Sequence, residues 1–230
     1  MKRSLGILLL ICLALIAIAG QSNSPQSPVE ISGEPRHHPK FENEFVRVWD
    51  VTVPARDATL WHAHRNDNVV VILGAANLRI ETAGAAPAEV EWKFGDVKFG
   101  KATYVHRAMN IGSTSFHNLT IELLKSTGAA DSTQKSASDT RATPVLENER
   151  VRVYRVSLEP GQSTGMHTHF LPSLAVAITP AKLAVITEGK KDWTLLTLPA
   201  GDISWRGGAL THSIKNVGKT RFEGADIEMK

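Results

Sequence analysis

His62-Ala63-His64 is followed 42 residues later by His106, and His167-Thr168-His169 is followed 43 residues later by His212. Six of the nine histidines fall into these two sets. Neutral imidazole is the commonest side-chain ligand of transition metals, so three of them converging would make a metal site. On a β-strand, residues i and i+2 share a face. His62 therefore projects with His64, and His167 with His169. Trp61, Ala63 and Met166 point the other way. A third imidazole from a distant strand can close each triad inside a barrel, where strands remote in sequence meet.

The elements around the triads are duplicated too. Phe41-Glu42-Asn43-Glu44-Phe45-Val46-Arg47-Val48-Trp49 reappears as Leu146-Glu147-Asn148-Glu149-Arg150-Val151-Arg152-Val153-Tyr154, at an offset of 105 that carries through the His-x-His pairs. After one inserted residue the offset is 106. Gly95-Asp96 then matches Gly201-Asp202, His106 to Asn110 matches His212 to Asn216, and Ile121-Glu122-Leu123 matches Ile227-Glu228-Met229. A period of this length describes two small domains rather than a solenoid, each able to hold its own core. The expected boundaries are 41–124 and 144–230.

The ends divide into further segments. Lys2-Arg3, the apolar run from Leu5, and Ala17-Ile18-Ala19 before Gly20 form the pattern of a secretory signal peptide over 1–19. Counted through Ala19, the run is about 15 residues against the ~20 of a membrane span, so no stable span is expected after cleavage. Secretion, or export to a periplasm, follows as an expectation. Residues 20–40, rich in Ser, Pro and Gln, are expected to form a flexible tether in which His37-His38 is a solvated pair. Residues 125–143 are expected to be a polar linker.

Composition excludes some functions. The only cysteine, Cys12, lies in the leader, so the rest of the chain has neither disulfide nor thiolate. Without Lys2 and Arg3, the 26 basic residues become 24 against 23 acidic, leaving about +1. No basic stripe supports a nucleic-acid partner. No fingerprint for a nucleotide or flavin is present.

Short β-branched runs predict strands over Val46 to Val53, Asn68 to Leu73, Leu78 to Thr82 and Leu119 to Leu124 in copy one. In copy two they predict Val151 to Leu158, Ser173 to Ile178, Leu183 to Thr187 and Trp193 to Leu198. Gly and Pro separate them, and no long 3.6-residue apolar period follows the leader. The chain is expected to be all-β, as antiparallel sandwiches or barrels.

These residues resemble the cupin superfamily, in its two-domain, bicupin form. Gly161, five residues and His167-Thr168-His169 are similar to the first cupin motif. Gly201, His212 and Asn216, like Gly95, His106 and Asn110, are similar to the second. The resemblance spans nearly all of the chain after the leader and implies two tandem jelly-roll barrels. There are departures. Arg56 stands where copy one should have the motif's first glycine. The motif's glutamate should fall near Asn68 or Val69 and near Ser173 or Leu174, and neither copy has it. The Pro and Gly of the second motif are replaced by Lys101 and Thr103, and by Gly207 and Ala209. The resemblance thus implies three-histidine sites: His62, His64 and His106; His167, His169 and His212. Copy two, with both glycines, has the better motif.

Three neutral ligands leave a divalent ion's charge uncompensated, which favours an anionic or chelating small molecule together with water or dioxygen. Imidazole alone does not choose among Fe, Zn, Mn, Ni and Cu. The leading expectation is a metal-dependent, oxygenase-type enzyme. Alternatives are a non-catalytic module binding a small molecule, a sugar or a metal, and a metal-assisted isomerase or lyase. The last needs an acid or base, for which Asp67, Glu122 and Glu228 are the candidates. Other recurring residues have structural readings. Asn110 and Asn216 brace turns, His117 is a satisfied strand histidine, and Arg47 and Arg152 form surface ion pairs with acidic neighbours. Trp49, Tyr154, Phe99 and Trp205 belong to cores or a domain interface. A monomer with an internal pseudo-dimer or a homodimer is expected.

Overall fold

The computed structural model describes residues 27–127 and 141–230. In the first half these form β1 (Val29–Glu30), a short 3-10 turn (Ile31–Gly33), β2 (His37–Glu42), β3 (Val46–Val53), β4 (His62–His64), β5 (Asn68–Gly74), β6 (Ala76–Thr82), β7 (Ala88–Trp92), β8 (Val97–Gly100), β9 (Tyr104–Asn110) and β10 (Phe116–Leu123). The second half has β11 (Ala142–Glu147), β12 (Val151–Leu158), β13 (His167–His169), β14 (Ser173–Ala177), β15 (Ala181–Thr187), β16 (Thr194–Leu198), β17 (Ile203–Arg206), β18 (Leu210–Asn216) and β19 (Phe222–Met229). The predicted strands are all present, and the all-β expectation holds.

The duplication extends to topology. One sheet runs β2-β3-β10-β5-β8 and its counterpart β11-β12-β19-β14-β17. The facing sheets run β1-β4-β9-β6-β7 and β13-β18-β15-β16. Each half is thus a two-sheet antiparallel jelly roll, with the parallel strand β1 added to the first beside β4.

Strand parity explains the apolar runs. On β3, Val46 and Val48 face one way, while Trp49, Val51 and Val53 belong to a different cluster inside the first barrel. Val46, Val48, Val69, Val71, Leu119 and Ile121 share one continuous core with Val151, Val153, Leu174, Val176, Ala225 and Ile227 of the second half. The two long sheets therefore pack against each other between the barrels, so both of their faces are buried. Phe45 stacks on Trp205 at 5.7 Å across this junction. Arg150 adds an ion pair to Asp67 at 3.2 Å and a hydrogen bond to the Leu123 carbonyl at 3.0 Å.

Corresponding turns repeat as well. Asn110 Nδ2 donates to the carbonyls of Val53 and Thr114, and its oxygen accepts from Gly112 N. Asn216 makes the same three bonds to Leu158, Thr220 and Gly218. Arg56, with φ of 64°, adopts the left-handed turn conformation that Gly161, with φ of 83°, adopts in copy two. The turn survives the loss of its glycine, at a conformational cost.

The flexible tether expected through residue 40 is corrected by the structure over 29–40. Ile31 is buried in the first barrel's core and β2 pairs along β3. Pairing satisfies the backbone, and burial of one Ile, Glu34 and His37 anchors a stretch whose composition is polar. The linker reading also ends early, since β11 begins at Ala142. Ser126 and Thr127 bond back to the carbonyls of Lys230 and Met229. The leader over 1–19 and most of the linker lie outside the described residues. Among the described residues, no helix is long and apolar enough to cross a membrane.

Candidate metal centres

Neighbouring strands of one sheet in each half bring the triads together. β4 pairs with β9 so that His62 lies opposite His106, and β13 pairs with β18 so that His167 lies opposite His212. In copy one, the Nε2 atoms of His62, His64 and His106 are 3.0 to 3.1 Å apart. In copy two, Nε2 of His169 is 3.1 Å from Nε2 of both His167 and His212. Nitrogens held about 2.1 Å from one ion at right angles stand about 3.0 Å apart, so the donor spacing fits a shared divalent metal.

Protonation agrees with that fit. His62 Nδ1 donates to the Leu60 carbonyl at 2.8 Å, and His167 Nδ1 to the Gly165 carbonyl at 2.9 Å. A carbonyl only accepts, so Nδ1 carries the proton and, in the neutral ring, Nε2 is a bare lone pair aimed at its neighbours. Burial pushes His62 down to about 4, His64 to about 2, and His106 and His212 to about 3, with the neighbouring imidazoles adding to the effect. At neutral pH these rings are uncharged ligands.

The outer partners differ between copies. His169 Nδ1 lies 3.1 Å from Asp226 Oδ2 and 3.6 Å from Glu228 Oε1. Asp226 is also ion-paired to Arg206, which donates in addition to Ser173 Oγ at 2.9 Å. In copy one, Tyr104 stacks on His64 with centroids 4.6 Å apart.

The cavities also differ. Copy two opens on a space of about 470 Å³ lined by its three histidines. The space beside copy one's triad is about 60 Å³. Register gives the reason. His37 lies opposite Val51 on β3, and Ala142 lies opposite Val156 on β12, so the two occupy the same position. Likewise Trp92, Tyr104, Val70 and Asn118 line the small space where Leu198, Leu210, Ala175 and Gly224 line the large one. At these five positions the second half carries the smaller side chain beside its larger cavity, although Ile214 and Asp226 are larger than their counterparts Ala108 and Thr120.

Other expectations divide. His37 is not solvated: it is 7% exposed, and its Nδ1 is 2.6 Å from Glu34 Oε2. Its burial depends on β2 pairing with β3, a tertiary event that the polar sequence does not signal. His117 is satisfied by Asp50 at 2.8 Å, and Met166 is exposed. Phe99 and Trp205 pack at the junction of the halves. Trp49 is core and donates to Glu122 at 2.9 Å, whereas Tyr154 lines the copy-two cavity. Arg152 is buried rather than a surface residue, between Glu147 at 2.9 Å and Glu228 at 3.6 Å. Asp67 accepts from Ala102 N at 2.8 Å and pairs with Arg150, so it serves the junction. Glu122 is buried and accepts from Trp49 and Asn66. None of Asp67, Glu122 and Glu228 is among the residues lining the cavities.

No protein-family model matches the sequence, and no curated protein matches it. Solved structures do. AerE from Microcystis aeruginosa superposes with a TM-score of 0.56 at 11% identity, over 86% of this chain and 98% of that one. A variant salicylate 1,2-dioxygenase from Pseudoaminobacter salicylatoxidans, solved in complex with gentisate, gives 0.61 at 12% identity, over 88% and 76%. A cupin domain from Bordetella pertussis Tohama I aligns over 41% of this chain at 28% identity, with a TM-score of 0.36. At the identities of the two longer matches the likeness is one of fold alone, that of two tandem antiparallel β-barrels.

Proposed function

We propose that this protein is an exported, metal-dependent enzyme of oxygenase type, acting on a small organic molecule in the cavity of its second half. The observation that carries the reading is the convergence of the His167, His169 and His212 Nε2 atoms on the wall of a largely apolar cavity of about 470 Å³. A triad of protein ligands beside open space is the arrangement of a reactive rather than a structural site. The solved dioxygenase complex with gentisate adds support through its shared fold.

A divalent transition metal, when bound, supplies Lewis acidity and, if redox-active, electron transfer to dioxygen. The chain's own residues do the rest. Gly165 O orients the imidazole of His167, and the Asp226 carboxylate lies behind His169, 3.1 Å from its Nδ1. Leu183, Leu198, Ile203 and Phe222 give the cavity an apolar wall that excludes water and suits a hydrocarbon body. Tyr154, a neutral phenol whose pKa burial raises further, also lines that wall. The neutral donor set favours a substrate that brings an anionic or chelating group. Export rests on the basic, apolar and small-residue pattern of Met1 to Gly20.

The isomerase or lyase reading loses Asp67, Glu122 and Glu228, which do not line the cavity, and would have to rest on Glu147, Asp202 or Asp226, which do. The test is elemental analysis of protein produced without added metal, followed by oxygen uptake with small organic acids such as gentisate. A stoichiometric redox metal in the second half, with uptake abolished by His167→Ala, supports the proposal. A second half that binds no metal even after reconstitution favours a non-catalytic binding module.

A further inference from the structure

We propose that the first half holds a closed, four-imidazole metal site. Its fourth donor is His37, its outer carboxylate is Glu34, and its ion fastens the segment 29–42 onto the barrel instead of receiving substrate.

His37 stands on β2, outside both histidine motifs, and packs against the triad. Its ring centroid is 4.7 Å from that of His62, and one of its ring nitrogens lies within 4.8 Å of ring nitrogens of His62 and His64. Glu34 sits just beyond it. The carboxylate is 2% exposed, reaches His37 Nδ1 at 2.6 Å, and accepts from the backbone N–H groups of Arg36 at 2.8 Å and Leu60 at 3.1 Å. A carboxylate on Nδ1 holds the ring's proton there and leaves Nε2 as the donor, the arrangement that orients and strengthens metal-binding histidines. Copy one therefore gathers three buried imidazoles, His37, His62 and His64, beside the half-buried His106, with one rear carboxylate. Burying ring nitrogens together is costly unless each finds a partner, and a cation among them would supply one.

Closure is the second observation. The space here is about 60 Å³, and Tyr104 stacked on His64 and the bulk of Trp92 fill the room that a substrate would need. A metal fully ligated by protein with no open position is structural. The equivalent of His37 in the second half is Ala142, so the same position supplies a donor in one half and space in the other. The inference does not depend on catalysis in the second half.

The experiment uses the full chain carrying His167→Ala, His169→Ala and His212→Ala, which isolates the first site. Stripped with a chelator and titrated with Co²⁺, it should bind a single ion and show the visible absorption of nitrogen-ligated cobalt. Metal should also protect residues 27–42 from proteolysis. Adding His37→Ala should weaken binding about tenfold or more, change the cobalt spectrum and expose the segment; Glu34→Gln should weaken it by a smaller factor. Circular dichroism checks that each variant is folded, and His37→Gln serves if His37→Ala is not. Cobalt affinity, spectrum and protection unchanged by removal of His37 would overturn the proposal. So would a folded parent that takes up no cobalt.

Discussion

Asp226 sits with one carboxylate oxygen 3.1 Å from His169 Nδ1 and the other on the Arg206 guanidinium, so a single side chain joins the second triad to the charged edge of its cavity. The corresponding residue of the first half is Thr120, which bonds Asn118 instead. Removing the charge should loosen His169. Asp226→Asn is expected to lower metal affinity in the second half by about 10- to 100-fold, with the first half unaffected. Metal titration of each half, isolated by substituting the other's histidines, checks this.

Ala142 and Leu210 keep the second cavity open. Ala142→His with Leu210→Tyr restores the bulk present in the first half. Small-molecule binding, measured by calorimetry on the metal-loaded protein, should be lost while the second triad still takes up its metal. Retained ligand binding would show that cavity volume is not what separates the halves.

Arg56 holds a left-handed conformation that glycine adopts freely. Arg56→Gly is expected to stabilise the protein by about 1 kcal/mol, because the penalty for a side chain there disappears. Chemical denaturation decides it; a destabilised variant would mean that the Arg56 side chain contributes more than its backbone costs.

Leu174 is fully buried in the core shared by the two halves. Leu174→Ala should cost about 2 to 5 kcal/mol. The loss should register in unfolding transitions followed from both halves, since the cavity opens in their common core. A change confined to one half would argue against a shared core.

Glu147 is held at a pKa of about 2 by hydrogen bonds from Arg152 first and Lys230 second. A carboxylate depressed in the folded state adds stability that is complete above its ordinary pKa near 4.5 and is lost as pH falls toward 2. The side chain is 44% exposed, so solvent screening keeps the contribution small. The gap in melting temperature between wild type and Glu147→Gln should be open at neutral pH and close across that acid range.

Much was written in the one-dimensional pattern. Paired histidines two residues apart, repeated at a constant offset with the same glycines and asparagines, determined the strands, the duplicated barrels and which imidazoles would share a face. Strand parity is local, so it can be read without coordinates. What tertiary structure decided is the difference between the halves. His37 and Glu34 sit in a polar stretch whose burial arises only when β2 pairs with β3. Arg152 reads as a surface charge and Glu228 as a pocket acid or base, yet both are buried, 3.6 Å from one another, and Glu228 does not line the cavity. The residues that line each cavity are scattered from 37 to 120 and from 142 to 226, and meet only through sheet register. Side-chain volume is a local property, but the space it fills belongs to the assembled fold.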